Sequence, residues 1–118
     1  MAVDPVTYRE ASPPPELREH VAAVWVRRGD PNGSRPLRVV PDGSADIIWR
    51  DDGRAVTTFT AGPDTEAQLA SLPEGSRMVG IRFAPGAAGA VLGVPLDALR
   101  DLRVPLAELW GAVADELA

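Results

Sequence analysis

The chain holds few side chains able to do chemistry. Among its 118 residues there is one histidine, His20, and no cysteine. A three-histidine or two-histidine-one-carboxylate metal centre therefore cannot be built within one chain, and cysteine-based zinc sites and thiol nucleophiles are excluded. No Gly-x-Ser-x-Gly elbow is present, and Ser44 or Ser76 with one distant histidine is not a catalytic triad. The remaining acid–base candidates are Asp42 and Asp46, which flank a Pro-Asp-Gly-Ser turn. As paired carboxylates they could serve general acid–base catalysis. The structural alternative is that Asp42 serves the turn and Asp46 pairs with an arginine, and this reading favours a protein that is not an enzyme.

Arg82 interrupts an otherwise apolar run, with Gly80 two positions away on the same strand face and a helix start at Pro85-Gly86 just beyond. A guanidinium beside a helix start suits a carboxylate or phosphate group of a ligand; the alternatives are an ion pair with Asp42 or Asp46, or solvent exposure. Trp25 and Trp49 fall on expected strands, where an indole either packs in the core or walls a small-molecule pocket. The candidate ligand-binding set is thus Trp25, Asp46, Trp49 and Arg82, with no metal and no cofactor. The ligand expected is organic, and anionic or hydrogen-bonding. Near the C-terminus, Leu106, Leu109, Trp110, Val113 and Leu117 share one face of an expected helix, which either serves as an interaction helix or closes the domain's own core. The arginines at 27, 28, 35 and 38 lack interleaved aromatics and read as a solvated basic stretch.

These residues must be positioned by a small number of elements. A chain of this length makes one domain, 1–118. The opening is extended and proline-rich, and Glu16–His20 has room for about one helical turn. Val21–Val26 reads as a strand; Leu37–Val40, Ala45–Arg50 and Arg54–Thr60 read as a three-strand meander with turns at Pro41-Asp42-Gly43-Ser44 and Asp51-Asp52-Gly53. Glu66–Leu72 is ambiguous between strand and helix. Ser76–Ala84 is the clearest strand of the second half, with Val79, Ile81 and Phe83 on one face and Met78, Gly80 and Arg82 on the other. Helices are expected from Pro85 to Leu92, from Pro95 to Arg100 and from Pro105 to Leu117. The fold class is therefore α+β: a small antiparallel sheet or barrel with two to three short helices at the C-terminal end.

Charge narrows the partners. With 12 basic residues, all arginine, against 17 acidic ones, the formal net charge is −5. That balance disfavours a polyanion as the main partner, because non-specific nucleic-acid affinity comes from phosphate neutralisation. The absence of lysine removes Schiff-base and Walker-type chemistry. The longest apolar run, Val21–Val26, is far short of the ~20 residues of a membrane span, and the N-terminus carries no signal-peptide pattern, so a cytoplasmic location is expected.

Several motifs together resemble the N-terminal domain of a subgroup of AraC-family bacterial transcription regulators. They are Pro41-Asp42-Gly43 with Asp46, Gly62-Pro63, Gly80-Ile81-Arg82-Phe83-Ala84-Pro85-Gly86-Ala87, Leu92-Gly93-Val94-Pro95, and Leu106-Ala107-Glu108-Leu109-Trp110-Gly111. The stretch from Tyr8 to Pro15, with Leu17, Val21 and Trp25, is similar as well. The resemblance implies a regulatory domain that senses a small organic effector, mediates homodimerisation, or both. It also implies that DNA is contacted only through a C-terminal helix-turn-helix domain absent from this chain. Two alternatives stand beside it: a small carboxylate-dependent enzyme using Asp42 and Asp46, and a stand-alone protein that binds and blocks a full-length regulator.

Overall fold

A computed structural model describes residues 8–29, 37–39, 43–66, 68–70 and 75–117. In chain order the strands are β1 (Tyr8–Ala11), β2 (Val21–Arg28), β3 (Leu37–Val39), β4 (Asp46–Asp51), β5 (Val56–Ala61), β6 (Gln68–Ala70), β7 (Arg77–Phe83) and β8 (Arg103–Pro105). Two short α-helices follow β7: α1 (Ala88–Leu92) and, after β8, α2 (Leu106–Trp110). Six strands form one antiparallel sheet in the order β1-β2-β7-β4-β5-β8, while β3 pairs with β6 in a separate ribbon. The sheet is open, with β1 and β8 at its edges among the described residues. Of the two forms expected, sheet or barrel, the sheet is the one found.

Local signals account for most of the element ends. The β4–β5 turn forms where Asp51 and Asp52 can accept backbone hydrogens. Asp51 Oδ1 takes the Gly53 N–H at 2.9 Å, and Asp52 Oδ1 takes those of Arg54 at 2.8 Å and Ala55 at 3.0 Å. Helix α1 stops at Gly93, whose N–H makes the last helical bond, to the Gly89 carbonyl at 2.9 Å, and whose φ of 80° then turns the chain out of the helix. The segment from Pro105 onward does not make one continuous helix. Gly111, at φ 61° and ψ −139°, ends α2, and Gly111–Leu117 continues as 3₁₀ turns. The segment expected as a helix from Pro95 is likewise a 3₁₀ turn, Leu96–Leu99, and the ambiguous segment around residue 68 is the short strand β6.

The meander read from Leu37 to Thr60 is corrected in part. The hairpin β4–β5 is present, but β3 leaves it to pair with β6, and the other neighbour of β4 is β7. Strand propensity is local, whereas the choice of neighbour is settled by which faces can be buried together.

Period-2 alternation divides the sheet into two faces. One packs against the helical layer: Ile47 and Phe83 join Ala45, Ala88, Leu92, Leu99, Leu106 and Ala114 in the main core, with Trp49, Leu109 and Trp110 packed around it. Leu92 and Leu106 are fully buried, and truncating either to alanine removes roughly 2–5 kcal/mol. The opposite face carries a smaller cluster of Trp25, Ile48 and Ala61, flanked by Phe59 and Met78.

Candidate functional site

The polar groups of interest gather on the face away from the helices. Antiparallel register sets Glu10 of β1 opposite Trp25 of β2, Trp25 opposite Gly80 of β7, and Arg82 opposite Asp46 of β4. Directly opposed residues project to the same side, so these side chains converge across four strands. The glycine is required for this. A Cβ on residue 80 would stand 2.1 Å from Trp25 Cε2, so only a bare backbone lets the indole lie across β7.

Lying there, Trp25 is 8% exposed and its Nε1–H donates to Asp46 Oδ2 at 2.7 Å. The Tyr8 ring stacks over it at a centroid distance of 6.2 Å and an interplanar angle of 26°. The Tyr8 hydroxyl donates to Glu10 Oε2 at 2.8 Å. Arg82 closes the network: Nη1 donates to Glu10 Oε1 at 3.2 Å, and Nε lies 3.9 Å from Asp46 Oδ2. The side chain of Asp46 is 16% exposed, that of Arg82 25% and that of Glu10 43%. Asp46 is therefore the sheltered anchor and Glu10 the solvent-side end.

The electrostatics follow from this layering. Burial pulls the Arg82 pKa down, but the hydrogen bond with Tyr8 and the charges of Asp46 and Glu10 outweigh it, so the net shift is upward. Burial raises the Tyr8 pKa, and Glu10 adds to that against an opposing contribution from Arg82. The phenol stays neutral and remains a hydrogen-bond donor near pH 7. The cluster combines an aromatic wall with one guanidinium held between two carboxylates. Such an arrangement can bind and orient a polar molecule or exchange one carboxylate for another.

Of the residues singled out from the sequence, Trp25, Asp46 and Arg82 are brought together. Trp49 is not: one residue on from Ile48, it projects to the helix-facing side and packs against the main core. Asp42 lies outside the described residues. Leu106, Leu109 and Trp110 face the domain's own core, Val113 is exposed, and the Leu117 side chain lies outside the description. The face breaks after Trp110 because Gly111 resets the helical period, so that Ala114 is buried instead. Among the described residues no group of three His, Cys, Asp or Glu side chains could hold a metal ion, and no helix is long and apolar enough to cross a membrane.

Tyr8 and Glu10 were missed from the sequence. Their signal was present, an alternating Tyr-x-Glu that matches the period of Trp25 on a neighbouring strand, but nothing in it identifies β2 as the partner.

No curated protein matches the chain, and no solved structure does. The family model described as "Domain of unknown function (DUF6597)" matches residues 9–105. This range runs from within β1 to the end of β8 and so takes in Glu10, Trp25, Asp46, Gly80 and Arg82. The match covers most of the 118 residues, and the chain therefore belongs to the DUF6597 family.

Proposed function

We propose that this chain is the regulatory domain of an AraC-type bacterial transcription regulator. It would work in the cytoplasm, sense a small organic effector, and pass the signal on through homodimerisation or through an attached DNA-binding domain. The observation that carries the reading is the Tyr8–Glu10–Trp25–Asp46–Arg82 cluster. A hydrogen-bonded indole, a phenol and a guanidinium share one sheet face, on the side away from the helical core. Pairing an aromatic wall with a few fixed polar groups is the usual composition of a small-molecule site. The motif resemblance supports the regulatory assignment, and the net charge of −5 supports a domain that does not itself hold DNA. Asp46 is engaged by the Trp25 indole and the Arg82 guanidinium, an environment that suits holding a geometry better than cycling a proton.

A metabolite panel screened by thermal melting tests the reading. At a hundred times its dissociation constant a true effector stabilises the fold by about 2.7 kcal/mol, and Trp25→Leu should abolish that shift. Electrophoretic mobility on promoter fragments at physiological salt should show no retention by the 118-residue chain alone. Specific retention, or an effector shift indifferent to Trp25, would overturn the assignment.

A further inference from the structure

A second feature of the same sheet face is two arginines that the cluster does not use. Arg27 of β2, Met78 of β7 and Arg50 of β4 lie in one cross-strand row, with Tyr8 opposite Arg27 at one end and Thr57 of β5 opposite Arg50 at the other. All five therefore project to the side that carries Trp25 and Arg82. With strands ~4.8 Å apart, the two arginine Cα atoms stand about 10 Å from each other. Both guanidinium arms can thus converge on one group above Met78.

Neither arginine has a carboxylate at ion-pair distance among the described residues, and the exposed Arg50 feels Asp52 only as a nearby charge. Among the described residues the ion pairs are those of Arg82 and Arg103, and neither Arg27 nor Arg50 takes part in one. Glu10, the carboxylate diagonal to Arg27 across β1 and β2, is committed to Arg82 and Tyr8. Arg27 is half-buried, and burial lowers its pKa with only Tyr8 opposing. A partly desolvated guanidinium without a carboxylate is costly unless something else meets it. Just inside the row the face turns apolar: Met78 and Phe59 flank Ile48 and Trp25. The sequence alone suggested a solvated basic stretch around Arg27. Strand pairing instead sets Arg27 beside Arg50, from another hairpin, at the border of an apolar patch.

We propose that this face binds an organic acid, its carboxylate or phosphate monoester held between Arg27 and Arg50 and its apolar body lying over Met78 toward Phe59. Both acid groups offer the paired oxygens that a guanidinium fork binds bidentately, and the apolar patch selects an acid with a hydrocarbon or aromatic body over a bare anion. This deepens the effector reading above and rests on it. It assigns the ligand's charge to a row distinct from the Arg82 cluster, whose guanidinium already faces two carboxylates.

The test is an amide chemical-shift titration of the full 118-residue chain with benzoate, phenyl phosphate, benzamide and inorganic phosphate. Benzoate or phenyl phosphate should move amides of β2, β4 and β7 around residues 27, 50 and 78, and whichever binds tighter identifies the acid. Benzamide and inorganic phosphate should bind at least tenfold more weakly. Arg27→Gln and Arg50→Gln should each weaken binding by tenfold or more, and Arg27→Lys/Arg50→Lys should retain part of it, which guards against loss of the fold. Raising the salt should weaken the acids and leave benzamide unchanged. Benzamide binding as tightly as benzoate at these amides, or acid binding indifferent to both glutamine variants, would overturn the organic-acid assignment while leaving a ligand-binding face. Silence of every β2, β4 and β7 amide toward all four probes would overturn both this assignment and the effector reading of the face.

Discussion

Gly80→Ala probes the geometry on which the site depends. The added methyl would stand 2.1, 2.2 and 2.5 Å from Trp25 Cε2, Cζ2 and Nε1. All three distances lie well inside van der Waals contact, against a rigid bicyclic ring that is itself buried. Either the sheet yields, an overpacking cost of about 1–3 kcal/mol, or the indole lifts. Lifting breaks the 2.7 Å bond to the Asp46 carboxylate, and hydrogen bonds to charged groups contribute roughly 1.5–3 kcal/mol. Replacing glycine also restricts the unfolded chain, which returns about 0.4–1 kcal/mol. The net expectation is a loss of roughly 0.5–2.5 kcal/mol, a sizeable part of the ~5–15 kcal/mol that holds a domain together. Urea unfolding followed by indole fluorescence should show the midpoint falling by about 0.3–1 M. In a Trp25→Val background the same substitution meets no ring and should cost less than about 0.5 kcal/mol, a coupling well above the scatter of independent sites. An equal loss in both backgrounds, or no loss in the wild type, would refute the placement of Trp25 over Gly80.

Arg82→Ala should lower stability by roughly 1–3 kcal/mol, because it removes the counter-charge beside the sheltered Asp46 carboxylate; Glu10→Gln, at the solvent-side end, should cost no more than about 0.5 kcal/mol, and chemical denaturation compares the two. Thr60 is fully buried and its hydroxyl has no hydrogen-bond partner among the described residues, so the isosteric Thr60→Val should be neutral or stabilising by up to about 1 kcal/mol, with a raised melting temperature as the readout. Asp101 takes the Thr65 backbone N–H at 2.7 Å and its hydroxyl at 2.8 Å, and these bonds hold its pKa below the ordinary aspartate value. Its contribution is thus fully present above that value and fades as pH falls below it. Melting curves of wild type and Asp101→Asn should differ near pH 6 and converge under strong acid, and a gap that persists unchanged would contradict the assignment. Asn is the suitable replacement because residue 101 sits at φ 58°, a conformation Asn tolerates.

What could be read from the residues in order was whatever short-range physics decides. An apolar, β-branched run marked β2 and alternation marked β7, while the turns Pro41-Asp42-Gly43-Ser44 and Asp51-Asp52-Gly53 bracketed β4 and set off β5, because strand period and turn conformation are set within a few residues. The α+β class and the terminal position of the helices followed from the same signals. Even the pairing of Arg82 with Asp46 was within reach as one of several alternatives, since a charged residue on a half-buried strand needs a counter-charge.

The tertiary structure decided which strands are neighbours. β2 and β7 are far apart in the chain yet adjacent in the sheet, and β3 abandons the meander for β6. That choice depends on burying two whole faces at once, against the helices and on the far side, and no local window contains this information. Every functional inference turns on it. Trp25 and Trp49 look equivalent as strand tryptophans, but register and parity send one to the polar cluster and the other to the helical core. Arg27 and Arg50 belong to different hairpins and meet only because β7 inserts between their strands. The residue types were legible one by one, and their convergence was settled by non-local packing free energy.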